Sequence, residues 1–281
     1  MWAEALPAAM LKQRVITALA LVTGLLVALL WFPQWAWLCL VSVICALGAW
    51  EWSGLASQVR ATRVVYALGA GALVLGLGFA GGAGGFDGQT WILVLAYLSS
   101  VVLWFIFVPL WLRRGWGGST RTAMTVGIIV LVPSALAMAQ LRAVDMMLML
   151  FALVLVWVAD IAAYFSGRAF GRHKLAPSIS PGKTWEGALG ALAGVVVCGT
   201  IGFLLLVSPT PGIATFAWLV PFLAAYTALS IIGDLFESLV KRKAGAKDSG
   251  TLLPGHGGVL DRIDSLTSTL PVAGLILVWL Y

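Results

Sequence analysis

The sequence predicts an all-α fold, a polytopic transmembrane helical bundle of about nine spans, and three observations carry that reading. Of 281 residues, 61% are hydrophobic and 10% charged, against about 45–50% and about 25% in an ordinary soluble domain. Apolar runs long enough to cross the hydrocarbon core of a bilayer, about 20 residues each, recur along the whole chain. Lys and Arg gather on one side of those runs when successive loops are assigned to alternate faces.

The expected spans cover roughly 14–31, 35–55, 64–82, 90–112, 123–141, 146–167, 185–207, 214–238 and 265–281. Lys12 and Arg14 precede the first, which raises the alternative of a cleavable signal peptide. The apolar run is too long for that and no small-residue cleavage site follows it, so it reads as a retained anchor. The third span is rich in Gly and Ala, which suits close helix packing in lipid. The last is short and interrupted by Pro271. With the N-terminus on the cytoplasmic side, every one of the 17 basic residues except Arg142 falls on that side. An even number of spans would move the last basic loop outside and lose this bias. Trp31, Trp35, Trp111, Trp116 and Trp185 stand near span ends, where indole rings form interfacial belts. The whole chain, 1–281, reads as one membrane domain, with an N-terminal span region over 1–122 and the candidate catalytic span region over 123–281.

Composition also excludes other classes. Cys39, Cys45 and Cys198 sit within apolar runs with no paired spacing, so neither a disulfide framework nor a zinc site is expected. The net charge of +6 does not point to nucleic acid in so apolar a chain, because basic loops at a membrane surface account for it.

Two polar stretches are too rich to be connectors, Asp160 to Gly187 and Ser230 to Leu266. They hold seven of the 11 acidic residues (Asp160, Glu186, Asp234, Glu237, Asp248, Asp261 and Asp264) and both histidines, His173 and His256. Both belong to the cytoplasmic side. Acids within or at the ends of spans are costly and are functional candidates for that reason. Asp234 and Glu237 are three apart on the eighth span, Asp261 and Asp264 repeat the spacing at the start of the ninth, and Asp160 and Tyr164 are four apart on the sixth. Each pair shares one helix face. Hard oxygens presented from three helix ends suit Mg²⁺, which takes one or two carboxylates and completes its shell with substrate phosphates. Ion pairing at the headgroup level would account for any one of these acids, but not for their helical spacing on apolar spans.

Cations adjoin the acids. Arg168, Arg172, Lys174 and Lys183 follow the sixth span, and Lys241, Arg242, Lys243 and Lys247 follow the eighth. Topology and anionic lipid account for basic loops in general. Interleaved with Gly245, Gly250, Gly255, Gly257 and Gly258, they read better as a phosphate cradle in which backbone amides approach an anion. Gly182-Lys183-Thr184 is not a P-loop, because position 177 is Pro177 and no strand is expected before it. His256 lacks a zinc-binding context, and His173 reads as a phosphate or headgroup contact. Glu51, in Trp50-Glu51-Trp52, is either a structural contact or a neighbour of the site. Carboxylates, cations and flexible backbone at one membrane face suit a reaction that joins a soluble polyphosphate to a lipid phosphate. With no partnered Ser or Cys nucleophile, direct in-line displacement is expected. A transporter would place its ionisable residues near the bilayer midplane between inverted repeats, which this sequence does not do.

The run from Ser238 to Asp264 carries a resemblance. Ser238-x-x-Lys241-Arg242, Lys247-Asp248-x-Gly250, Pro254-Gly255-His256-Gly257-Gly258 and Asp261-Arg262-x-Asp264 together resemble the signature of the bacterial phosphatidate cytidylyltransferase (CDP-diglyceride synthase) family. Asp160-x-x-Ala163-Tyr164-x-x-Gly167-Arg168, Lys174 to Pro177 and Ser180-Pro181-x-Lys183-Thr184-x-Glu186-Gly187 are similar to a second block of that family, and Leu11 to Val15 also look familial. The resemblance implies the reaction CTP plus phosphatidate to CDP-diacylglycerol plus diphosphate. It also implies Mg²⁺, with K⁺ as the optional partner in a paired metal site, and a homodimer in the bacterial inner membrane with its site facing the cytoplasm. It implies roles as well. Asp234, Asp261 and Asp264 would hold metal with Glu237, and Asp248 and Lys247 would join them in the catalytic group. Lys241, Arg242, Lys247 and Arg262 would neutralise phosphates, and Gly255, His256, Gly257 and Gly258 would cradle them. Ser180, Lys183, Thr184, Tyr164 and Arg168 would contact nucleotide or lipid phosphate. A CTP-dependent lipid kinase is the alternative enzyme. The D-x-x-D-G-x-x-A-R pattern of a CDP-alcohol phosphotransferase is absent.

Overall fold

Why each apolar run becomes a helix follows from its solvent: in lipid, backbone N–H and C=O groups find partners only within the segment itself. The computed structural model describes residues 8–85, 88–115, 118–206 and 212–280, with the side chains of 8–14 and 280 left aside. Trp116, Tyr281 and the side chains of Lys12 and Arg14 therefore lie outside the described residues.

The described chain forms nine helices: α1 (Ala8–Trp31), α2 (Gln34–Leu55), α3 (Arg60–Ala80), α4 (Trp91–Arg114), α5 (Thr120–Val144), α6 (Met146–Phe170), α7 (Trp185–Leu206), α8 (Ile213–Lys243) and α9 (Leu260–Leu280). Each expected span lies on one of them. Seven, α2 to α8, are long and apolar enough to cross a membrane. The other two are α1, whose apolar stretch is Val15–Trp31, and α9, whose first turns carry Asp261, Arg262 and Asp264. The chain is an all-α, multi-pass membrane bundle. Helix α8 extends to Lys243, beyond the expected limit of 238, and α9 starts at Leu260 rather than 265. Asp261 and Asp264 thus sit within the helix, as Asp234 and Glu237 do on α8.

Local chemistry sets the boundaries. Pro33, which has no N–H, separates α1 from α2. Asp145 Oδ1 accepts from Met147 and Leu148 N–H at 2.6 and 2.9 Å and caps α6. Gly245, with φ +69°, ends α8: its N–H reaches Arg242 O, and Ala246 N–H reaches Lys241 O, the paired closure that favours glycine.

One element was not expected. Lys174–Ala176 (β1) and Ser180–Thr184 (β2) pair antiparallel between α6 and α7, with Lys174 opposite Thr184 and Ala176 opposite Ser180. The short segment has no alternating apolar pattern to announce a strand. It pairs because a chain returning on itself within a few residues must satisfy its own backbone groups. Gly182-Lys183-Thr184 thus lies on a strand, and Pro177 still denies it the P-loop pattern.

Helices approach closely through small residues. On α3, Gly71 abuts Ser42 and Gly78 abuts Leu38. On α7, Gly187, Gly190 and Gly194 meet Ala163, Ser166 and Ala162 of α6. Helix α9 is held by hydroxyls: Ser265 and Ser268 donate to Ser230 O and Leu229 O of α8, and Ser134 of α5 donates to Thr267 O. At the far end of the bundle, Arg142 donates to Gln34 Oε1, Leu29 O and Phe32 O at 2.7, 3.0 and 2.5 Å. It thereby closes the C-terminal carbonyls of α1 against α2 and α5.

Candidate active site

Helices α8 and α9 run antiparallel against each other, so their two acidic pairs mesh in reverse order. Asp234 comes beside Asp264, and Glu237 beside Asp261. Spacing on one helix puts both members of a pair on one face, and the partner helix brings the two pairs together, with Asp264 near both Asp234 and Glu237.

The first group is Asp234, Asp264 and Asp160, which lie close enough to repel one another. Lys183 from β2 stands among them, with Nζ 2.5 Å from Asp234 Oδ2, and Arg262 adds a more distant positive charge. Asp264 Oδ1 accepts from Ser265 N–H at 2.8 Å. A cavity of about 510 Å³ opens here between α6, the hairpin, α7 and α8. Its lining includes Asp160, Tyr164, Arg168, Ser180, Lys183 and Asp234. Arg168 donates to the Tyr164 hydroxyl at 3.0 Å.

The second group is Glu237, Asp261 and Lys241. The Lys241 ammonium lies 2.7 Å from Glu237 Oε2 and 2.6 Å from Asp261 Oδ1. Its side chain is 13% exposed, so its charge is directed at these acids. Asp261 also accepts from Ser249 N–H and from Gly258 N–H at 2.8 Å. Phe236, beside Glu237 on α8, packs on Trp52, Trp104 and Trp111. Trp104 is carried by the π-helical turn Leu103–Phe107 in α4.

Between α8 and α9 the loop folds back on itself. Leu253 N–H donates to Gly257 O and His256 N–H to Leu253 O, both at 2.9 Å. Pro254 occupies the first corner and Gly255 the second with φ +75°, the arrangement that requires glycine there. A second cavity, of about 580 Å³, is lined by Lys247, Asp248, Gly255, His256, Gly257 and Arg262 among others. Arg262 Nε donates to His256 O.

Several expected contacts have other work. Thr184 is 7% exposed, and its hydroxyl accepts from Gly187 N–H at 3.1 Å, capping α7 while lining the first cavity. His173 Nδ1 lies 2.6 Å from Glu186 Oε1 and ties the hairpin to the first turn of α7. Arg242 is exposed at the end of α8 and reaches Ala246 O at 3.4 Å. Gly245 is a helix cap, whereas Gly250 and Gly258 lie against the carboxylate of Glu51.

The Cytidylyltransferase family profile matches residues 12–280. The chain belongs to the cytidylyltransferase family. Among similar proteins, the phosphatidate cytidylyltransferase of Pseudomonas aeruginosa is 40% identical over 95% of this chain and 97% of its own. That of Haemophilus influenzae is 34% identical over 93% and 96%. That of Thermotoga maritima is 43% identical over 45% of this chain and 47% of its own.

In this cytidylyltransferase Asp234 and Asp160 lie near Asp264, Asp264 also lies near Glu237, and Lys241 joins Glu237 to Asp261. Among the described residues no three Asp, Glu, His or Cys side chains are set to hold one ion between them. The donor chemistry of the first group still fits Mg²⁺, which takes only one or two carboxylates from a protein when phosphates supply the rest. Asp234 is a hard-oxygen donor at the edge of a cavity, with Asp264 near it, and Lys183 pairs with Asp234. Two contributors escaped assignment. Ser249 bridges to Asp261 without any charge to flag it. Glu51, from the N-terminal spans, reaches this cytidylyltransferase loop across 198 residues of sequence.

Proposed function

We propose that this chain is a phosphatidate cytidylyltransferase, joining CTP and phosphatidate to give CDP-diacylglycerol and diphosphate. The observation that carries the reading is the pairing of two cation-bearing cavities at one end of a membrane bundle, with unlike neighbours. Lys183 and Arg168 face the first; Lys247 and Arg262 face the second. Two anions that repel each other need separate positive seats close together. The relatives that match this chain nearly end to end bear the name of that activity.

In the reaction a phosphatidate phosphate oxygen attacks the α-phosphorus of CTP, and the bond to the β-phosphate oxygen breaks in line with it. The chain supplies position and charge. Lys183 leaves Asp234 for a phosphate oxygen, while Lys247 and Arg262, with the Gly255–Gly258 turn and His256, hold phosphates in the second cavity. Asp234 and Asp264, with Asp160 beside them, would hold Mg²⁺, and K⁺ would be the second ion of a pair. Bound there, Mg²⁺ would neutralise triphosphate charge and stabilise the departing diphosphate. Lys241 keeps the acidic end of α9 in place, and Asp248 lines the second cavity. A homodimer, and a site facing the cytoplasm of a bacterial inner membrane, belong to the same proposal.

The test is turnover by the purified protein in detergent with radiolabelled CTP, phosphatidate and Mg²⁺. Labelled CDP-diacylglycerol with one diphosphate released per product is expected. Release of CDP with a newly phosphorylated lipid would replace this reading with a lipid kinase.

A further inference from the structure

Glu51 sits where α2 meets the loop between α8 and α9, and its side chain is out of place there by ordinary rules. The residue is 2% exposed, and no Lys, Arg or His forms an ion pair with it among the described residues. A buried carboxylate without a cation is costly unless hydrogen bonds replace the lost water. Oε2 accepts from Leu260 N–H at 2.9 Å and lies 3.1 Å from the Ser249 hydroxyl. Oε1 is buried and has no hydrogen-bond partner among the described residues.

These partners are informative. Leu260 opens α9, and its N–H is one of the first-turn donors that the helix itself cannot satisfy. An acid there also meets the positive end of the helix. The Ser249 hydroxyl lies 3.0 Å from Asp261 Oδ2 as well, so one O–H links Glu51 to the acid that holds Lys241. Gly250 and Gly258 both press on the Glu51 carboxylate, and a Cβ at either would strike its oxygens. The support beneath is rigid. Trp52 Nε1 donates to Ala123 O at 2.8 Å, Arg63 Nε donates to Trp50 O at 3.2 Å, and the Arg63 guanidinium stacks 4.1 Å from the Trp50 ring.

We propose that Glu51 is a positioning residue that anchors the glycine-rich loop and the first turn of α9 to the N-terminal spans, setting Asp261 and the cations of the second cavity in place. Its consequence for turnover rests on the phosphatidate cytidylyltransferase reading; the anchoring does not.

Two readouts on purified protein separate the claims: amide hydrogen exchange over 247–262, and turnover of CTP and phosphatidate. Glu51→Ala is expected to speed exchange in that segment about tenfold, as for the loss of a hydrogen bond to a charged acceptor, with exchange in the other helices unchanged. Its kcat is expected to fall about tenfold or more, and Glu51→Gln, which keeps an acceptor for Leu260 N–H, to recover most of both. Unchanged exchange in 247–262 for Glu51→Ala overturns the inference. So does faster exchange with full turnover, or faster exchange spread over all helices. Faster local exchange in Glu51→Ala together with an inactive wild-type protein upholds the anchor and removes the proposed reaction.

Discussion

Lys241 and Asp261 are joined at 2.6 Å across the junction of α8 and α9, and the same ammonium lies 2.7 Å from Glu237. One cation therefore holds two acids on two helices, within a part of the fold where water reaches little.

Removing that cation strands both acids. Lys241→Met is expected to lower stability by about 3–5 kcal/mol, the cost of leaving buried charge unpaired. Lys241→Arg should recover much of it. Thermal unfolding in detergent, followed by near-ultraviolet circular dichroism, measures the difference.

Lys183 and Asp234 form a half-buried pair at the cavity, so their loss should act on chemistry instead. Lys183→Ala and Asp234→Asn are each expected to reduce kcat/KM by about 100-fold or more, the scale for removing one electrostatic group at a transferring phosphoryl centre. Unfolding midpoints should stay near that of the wild type. The double variant should fall well short of the product of the two losses, because both act on one centre. Steady-state kinetics on the four proteins checks this.

Chelation tests the acidic group. EDTA is expected to abolish turnover and added Mg²⁺ to restore it. Asp264→Asn should need more Mg²⁺ for half-maximal rate than the wild type, since it offers one fewer charged oxygen. A magnesium titration of initial rates in both proteins provides the comparison.

The far end of the bundle offers a contrast. Arg142→Ala removes three hydrogen bonds from the ends of α1 and α2 and leaves carbonyls unpaired, at an expected cost of about 1–3 kcal/mol. Rate per folded molecule should not change, because no site residue touches Arg142. Melting and kinetics on the same preparation report the two effects.

Sidedness can be read with a single added thiol. Thr251→Cys lies on the exposed loop, and a membrane-impermeant maleimide should label it only in inside-out vesicles. Cys39, Cys45 and Cys198, all on helices and none fully exposed, set the background.

Much of this architecture is legible from residue type alone. Apolar length located all nine helices, because hydrocarbon leaves the backbone one local solution. The acids at Asp234, Glu237, Asp261 and Asp264 stood out because charge on an apolar span has no cheap explanation. Helical spacing told which residues share a face. It did not tell which residue of the partner helix each would meet, and the antiparallel crossing of α8 and α9 brings Asp261 to Lys241. Thr184 and Gly245 drew notice through their motifs, but their neighbours use them as helix ends. Ser249 was silent because it carries no charge, and the β-hairpin because its short strands have no alternating apolar pattern. Glu51 was visible as an oddity, and only tertiary contact gives it partners.

The seam between α6 and α7 has a wider implication. Gly187, Gly190 and Gly194 face Ala163, Ser166 and Ala162, and between lipid-embedded helices no expelled water drives the two surfaces together. Their separation is fixed by how little stands between them. Asp160 and Tyr164 ride on one of these helices and the hairpin bearing Lys183 leads directly into the other, so missing methyl groups behind the cavity act as its calliper. A bulkier residue in that seam would retune the gap between opposing charges without touching any of them.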